Sequence, residues 1–234
     1  MRFRPIWKPI SSILTIPAGH LEQAIRDALA AIDSVHGIMD IDPARIRIEK
    51  VENGEGEYDA REYPPCIRID PEASFPCWDF LHEVGHWIDS VGIGVIDTLS
   101  SESKETRKWL RTVKRSRAFI ELQKHRKQNS FRDPVSGREF PIVHEIIDYN
   151  CSNSELFAHS YAYFVALYRN RQILQPEVNA RLDAEFDRFR NYLLFQVHCP
   201  MWTEEDFEPI GKELASIFAS ESWLERESGD DGNE

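Results

Sequence analysis

The amino-acid sequence predicts an α+β fold, in which a small mixed sheet packs on one buried helix and a mainly helical part follows. Alternating apolar and charged residues over 45–51 and 65–69 predict two strands of one sheet. The turn signal Asn53-Gly54 lies between them. Large apolar residues over 77–91 predict the buried helix.

Helical periodicity of the apolar residues predicts four further helices, at 20–35, 155–168, 176–194 and 203–218. Gly37 is expected to end the first of these helices, because glycine is favoured just after a helix C-terminus. Asn153 or Ser154 is expected to cap the second one. The C-terminal part of the fold should therefore be helical.

The chain has 234 residues, a length that suits one substantial domain. We expect an irregular N-terminal segment over 1–19 and a single folded domain over 20–224. That domain would contain a basic helical excursion at 98–132 and a helical C-terminal part at 176–224. The acidic tail at 225–234 has too few apolar residues to fold and should be disordered.

The N-terminal segment resembles a secretory signal only superficially, because polar residues and a proline interrupt its apolar stretch, namely Ser11, Ser12, Thr15 and Pro17. No segment has the ~20 apolar residues that span a bilayer. We therefore expect a cytoplasmic protein that does not bind membranes. Its widely spaced cysteines should be reduced thiols: Cys66, Cys77, Cys151 and Cys199.

Charge is strongly segregated along the chain. The net charge is −12, yet residues 98–132 carry eleven Lys or Arg against three Glu, so this segment is +8 and the remainder is −12 − 8 = −20. The acidic total argues against a simple nucleic-acid binder. The basic segment could still contact nucleic acid or line a groove for an acidic substrate. Alternatively it is a solvated helical excursion, with Trp109, Val113 and Ile120 facing inward.

The sequence His82-Glu83-Val84-Gly85-His86 has the HExxH spacing of a zinc site. On a helix, residues four apart project from one face, so His82 and His86 can bind a single Zn²⁺ with Glu83 beside them. The alternative is a buried helix whose histidines only form hydrogen bonds. Asp89 could orient a ligand imidazole, or it could be an ordinary carboxylate near the end of the helix.

A catalytic zinc usually has three protein ligands, so a third ligand must come from elsewhere in the chain. The metzincin continuation HExxHxxGxxH fails, because Asp89 and Gly92 occupy its glycine and histidine positions. Glu155 follows His86 by 155 − 86 = 69 residues and shares a helical face with small side chains, which would allow a close helix approach. His159 on the same face is a rival ligand, or a group that supports a ligand or the oxyanion. Glu155 could also simply face solvent on an alanine-lined helix.

These two motifs resemble the gluzincin metallopeptidases, and most closely the catalytic domains of the anthrax lethal factor type. The resemblance covers roughly residues 45–194, and its specific parts are His82–Gly92 (HEVGHWIDSVG) and Glu155–Phe164. It implies a zincin-like fold and zinc peptidase activity, with Glu155 as the third ligand. It also implies an oxyanion-stabilising role for Tyr149, which lies one residue nearer to the glutamate than the family pattern places its tyrosine.

The expected function is that of a zinc-dependent metalloendopeptidase with one Zn²⁺ per chain and a peptide or protein substrate. Glu83 is the expected general base, and Tyr149 and His159 are further catalytic candidates. The strand at 65–69 would hold an extended peptide as an added strand. The alternatives are a phage or mobile-element assembly protein with a structural or vestigial zinc site, and a nucleic-acid-associated protein that uses residues 98–132. A structural site has no need of Glu83, which favours the enzyme.

Overall fold

The computed structural model describes residues 19–37, 45–52, 55–62, 65–91, 100–133, 137–192 and 197–219. Within these ranges the protein has the predicted α+β architecture. Eight α-helices are described: α1 His20–His36, α2 Pro76–Val91, α3 Arg107–Val113, α4 Arg117–His125, α5 His144–Asn150, α6 Asn153–Tyr168, α7 Pro176–Arg190 and α8 Glu204–Phe218. The predicted Asn53-Gly54 turn, almost all of the N-terminal segment and the acidic tail lie outside the described residues.

The first sheet is mixed, as predicted, and has three strands among the described residues: β1 Ile46–Ile48, β2 Gly56–Asp59 and β3 Cys66–Ile69. β3 lies in the centre, parallel to β1 and antiparallel to β2. We expected an extended peptide to pair with the strand at 65–69, and this expectation is wrong. That strand is β3, and both of its edges already pair with other strands. β2 is an edge strand that the sequence analysis did not predict.

Helix α2 packs on this sheet and forms the centre of the core together with α6. Ile67 and Ile69 of β3 are buried in one apolar cluster with Phe80 and Ile88 of α2. Other members of the cluster come from α1, α3, α7 and α8, so one core joins the sheet to the helical C-terminal part.

The contact between α2 and α6 is unusually close because of one glycine. A Cβ atom added at Gly85 would lie 2.7 Å from Cα of Ala158, so a larger residue would push the two helices apart. This agrees with the predicted small-residue face of α6. The cap of α6 differs from the prediction, because the hydroxyl of Ser152, not Asn153 or Ser154, accepts the N–H of Glu155.

The basic segment at 98–132 is mainly helical, as expected, and forms α3 and α4, but residues 130–132 form a strand. Trp109 and Val113 are fully buried. Ile120, however, is 45% exposed, so its predicted inward position is wrong, and Leu122 is buried instead. The helix stops between α3 and α4 and restarts at Ser116, which caps α4, so periodicity counted from Val113 no longer applies.

The remaining elements are short or match the predicted helices with small shifts in their ends. A two-stranded sheet, β4 Ser130–Arg132 and β5 Glu139–Pro141, and the seven-residue α5 were not predicted, because such short elements show little periodicity. All four cysteines are free thiols, as expected. Among the described residues, no helix combines the length and the apolar content that crossing a membrane requires.

His36 should make the stability of the fold depend on acidity. Its ring stacks on Tyr161 and meets Phe218 edge-on, with centroids 5.7 Å and 4.9 Å away. Burial lowers the pKa of His36 to about 4. Because this pKa lies below the ordinary value of 6.5, protonation of His36 favours the unfolded chain. No stability is lost above pH 6.5, and the loss grows as the pH falls towards 4, to about 2 to 3 kcal/mol at pH 4.5. The free energy of unfolding of a His36→Phe variant, measured in urea, should therefore fall less between pH 7 and pH 4.5.

Comparing the variant with the wild type removes the contribution of other groups that titrate in the same pH range, because both proteins contain them. Asp33, on the same helix, has a pKa raised to about 6 by burial and is present in both proteins. An equal loss of stability in the wild type and in the variant would show that His36 does not contribute the acid sensitivity.

Candidate metal and catalytic site

The close contact between α2 and α6 brings together His82, His86 and Glu155. Their donor atoms all lie within 4.8 Å of one another, and among the described residues this group is the one that could hold a metal ion. Nε2 of His82 lies 3.1 Å from Oε2 of Glu155, and Nε2 of His86 lies 3.1 Å from Oε1. The two Nε2 atoms are also 3.1 Å apart. The sequence-predicted ligands therefore converge on one point.

The donor set and its spacing fit a zinc ion. With zinc bonds of about 2.0–2.1 Å, the ligand atoms of a tetrahedral site lie about 3.3 Å apart. The observed separations of 3.1 Å are close to this value. Burial alone would raise the pKa of Glu155, but the hydrogen bonds to His82 and His86 outweigh it and hold that pKa well below its usual range. The carboxylate is therefore ionised and ready to bind a cation.

A chain of polar contacts fixes the orientation of His86. Nδ1 of His86 lies 3.2 Å from Oγ of Ser154, which also forms a hydrogen bond with Asp89. Asp89 is almost fully buried and also accepts the backbone N–H and the hydroxyl of Ser101, at 2.6 Å and 2.9 Å. Asp89 thus helps to orient the His86 imidazole through Ser154, which agrees with one of its two predicted roles.

Glu83 is buried on the face of α2 that packs against the edge strand β2. A Cβ atom at Gly56 would lie only 2.9 Å from Cγ of Glu83, so glycine at this position leaves room for the carboxylate side chain. The backbone N–H of Tyr58 also donates a hydrogen bond to Glu83. Burial raises the pKa of Glu83, while the adjacent His82 and His86 lower it less strongly. A raised carboxyl pKa brings a general base closer to neutral pH.

Tyr149 reaches the site from α5. Tyr149 as a whole is 63% exposed, but its hydroxyl forms a hydrogen bond with Glu155. Burial, with the nearby Glu155 carboxylate, raises the pKa of Tyr149 above its ordinary value. The phenol therefore stays protonated at neutral pH and can donate a hydrogen bond.

His159 lies behind His82 and outside the group of metal donors. It is buried, and its ring centroid is 4.5 Å from that of His82. Its Nε2 lies 3.4 Å from Oδ1 of Asn150, whose amide donates to the backbone carbonyl of His198. Burial lowers the pKa of His159, and the proximity of His82 lowers it further. This position suits a group that supports His82 and does not favour the rival-ligand alternative.

Three contributors to the site were not predicted, namely Gly56, Asn150 and the supporting role of Ser154. The only local signal was that Ser154 directly precedes Glu155, and sequence reasoning had assigned it to the helix cap. Gly56 contributes by its contact with Glu83, and Asn150 by its contact with His159. Such contacts depend on the fold and cannot be recognised from a local sequence pattern.

Fold and site together define an α+β protein in which two partly buried histidines and a buried glutamate meet between two packed helices, beside a second buried glutamate. Comparison with protein-family models, curated proteins and solved structures found no match for the chain.

Proposed function

We propose that this protein is a zinc-dependent metalloendopeptidase of the gluzincin type with a zincin-like fold. The observation that carries the proposal is the convergence of His82, His86 and Glu155 at mutual distances of 3.1 Å. Glu83, next to His82 on the same helix, supplies the carboxylate that hydrolysis needs. A site with a purely structural role would not require this buried fourth group.

The residues around the site have distinct chemical roles. Zinc, when bound by His82, His86 and Glu155, supplies a Lewis acid that makes water more acidic and polarises a carbonyl. Glu83 accepts the proton of the attacking water and then delivers it to the leaving amine. The raised pKa of Glu83 suits both steps, because the group must first accept a proton and then release it.

Tyr149 is the group placed to stabilise the developing negative charge on the substrate oxygen. Its hydroxyl is protonated and within hydrogen-bonding reach of Glu155, so it lies at the edge of the reaction site. His159 is buried behind His82 and is assigned to holding that imidazole in place.

The edge strand β2 is the binding strand for an extended peptide, in place of the segment at 65–69. Asp70 N–H donates to the carbonyl of Glu55 at 2.8 Å, so alternate residues from Glu55 onwards bond to β3 and its extension. The backbone groups of Gly56 and Tyr58 therefore point to the other edge, where the N–H of Tyr58 reaches Glu83. An extended peptide that lies beside β2 would therefore pass next to the general base.

Hydrolysis of a quenched-fluorescent peptide mixture with a randomised core tests the proposal. The zinc-loaded protein should cleave the mixture, a chelator should abolish cleavage, and added zinc should restore it. A His82→Ala, His86→Ala variant is the matched control for contaminating peptidases. No cleavage by the zinc-loaded protein, or equal cleavage by the control, would contradict the proposal and favour the assembly protein.

A further inference from the structure

A row of three cations lies on the surface next to the site. Arg107 and Arg111 lie on α3, and Lys114 is the C-cap residue that directly follows it. At spacings of four and three residues the three share one face, and we call them the α3 stripe. All three side chains are exposed. Within the described part of the chain, none of them has a carboxylate at ion-pair distance, whereas the neighbouring Lys108 is paired with Glu213 at 2.8 Å.

One end of the α3 stripe contacts the N-terminus of α6, the helix that carries Glu155. Nζ of Lys114 lies 3.4 Å from Oδ1 of Asn153, the first residue of α6. The next two residues are Ser154, which supports His86, and Glu155. The stripe is about 10 Å long, because its ends are seven residues apart on a helix that rises about 1.5 Å per residue. It therefore begins at the N-terminus of α6 and extends over the outer surface.

The positive charge of the α3 stripe favours an anionic partner. Arg107 and Arg111 are like charges four residues apart, an arrangement that destabilises a helix. The α6 N-terminus beside Lys114 adds a partial positive charge. Most of the remaining chain is acidic, so these cations are a localised feature of the surface.

The partner's chemistry follows from the shape of the stripe. Surfaces that bind single-stranded nucleic acid combine cations with exposed aromatic rings on which bases stack, but Trp109, the aromatic residue of α3, is fully buried. A length of about 10 Å matches about three residues of extended peptide at about 3.3 Å each. We propose that the α3 stripe binds an acidic segment of the peptide substrate, outside the scissile bond. This inference rests on the proposed peptidase function for its biological role.

Binding can be measured separately from hydrolysis. In a Glu83→Gln background, which prevents cleavage, fluorescence anisotropy would follow a labelled decaglutamate peptide at low salt. Replacing Arg107, Arg111 and Lys114 by Gln should weaken binding about tenfold, since three exposed ion pairs are lost. A control with Gln at Lys50, Lys124 and Lys212 removes the same charge from other exposed sites and should change binding less than twofold. The difference should shrink as salt is raised.

Two results would overturn the inference. Equal weakening in the stripe variant and the control would mean that only net charge matters. Tighter, stripe-dependent binding of a ten-nucleotide oligothymidylate than of decaglutamate would identify a nucleic-acid surface instead.

A hydrolysis assay then connects the α3 stripe to the proposed function. Peptides with a decaglutamate extension should have a KM about tenfold lower than peptides with a Gly-Ser extension, with an unchanged kcat, and the stripe variant should lose this difference. Absence of cleavage of both peptides would contradict the peptidase, whereas the anisotropy result would still decide whether the stripe binds acidic peptide.

Discussion

Glu83→Gln is expected to lower kcat for peptide hydrolysis by about 10³-fold, the range that loss of a general base produces. Gln is nearly isosteric with Glu, so the buried space beside Gly56 stays filled and the N–H of Tyr58 still has an acceptor. The amide cannot accept a proton from water, so the variant should lose proton transfer while keeping its metal and its fold. Zinc content and thermal unfolding should match those of the wild type.

Glu57→Gln is a suitable control for this experiment. Glu57 is also a glutamate and lies on β2, the edge strand next to Glu83, but it pairs with Arg68 at 3.2 Å. Its activity should stay within a few-fold of the wild type. If Glu83→Gln retained a tenth or more of the wild-type kcat, Glu83 would not be the base.

Glu155→Ala is expected to weaken zinc binding far more than His159→Ala. Loss of Glu155 leaves two imidazoles as protein ligands, so zinc affinity should fall by more than the roughly 10- to 100-fold that loss of a supporting residue costs. His159 lies behind His82, and His159→Ala should stay within that smaller range. Competition with a chromophoric chelator measures both affinities under the same conditions.

The two variants test the ligand assignment in opposite directions. Retention of zinc by Glu155→Ala together with its loss from His159→Ala would exclude Glu155 as the ligand and remove the basis for a gluzincin. Far-ultraviolet circular dichroism of both variants distinguishes loss of a ligand from loss of the fold.

The core of the candidate site could be predicted from the sequence because its geometry is local. His82 and His86 lie one turn apart on any helix, so their shared face follows from the spacing alone. For the third ligand, the small side chains on the face of α6 predicted the close approach that the structure has at Gly85 and Ala158, but they left Glu155 and His159 as alternatives. The resemblance to the gluzincins was the main reason for choosing Glu155.

The parts that could not be predicted depend on long-range arrangement. The order of strands in a sheet is not encoded in any one strand, so the central position of β3 and the edge position of β2 emerged only from the fold. Gly56 has its importance because β2 crosses beside Glu83. The prediction for Ile120 was wrong because it assumed one continuous helix from Val113. A new helix begins after the Ser116 cap, and apolar periodicity does not reveal that break.

Zinc content of the purified protein tests the central claim most directly. Elemental analysis of protein prepared without added metal should give about one equivalent of zinc per chain, the stoichiometry of a single three-ligand site. The His82→Ala, His86→Ala variant, prepared in the same way, should contain almost none. Equal zinc in the two preparations would contradict the assignment of the metal to His82, His86 and Glu155.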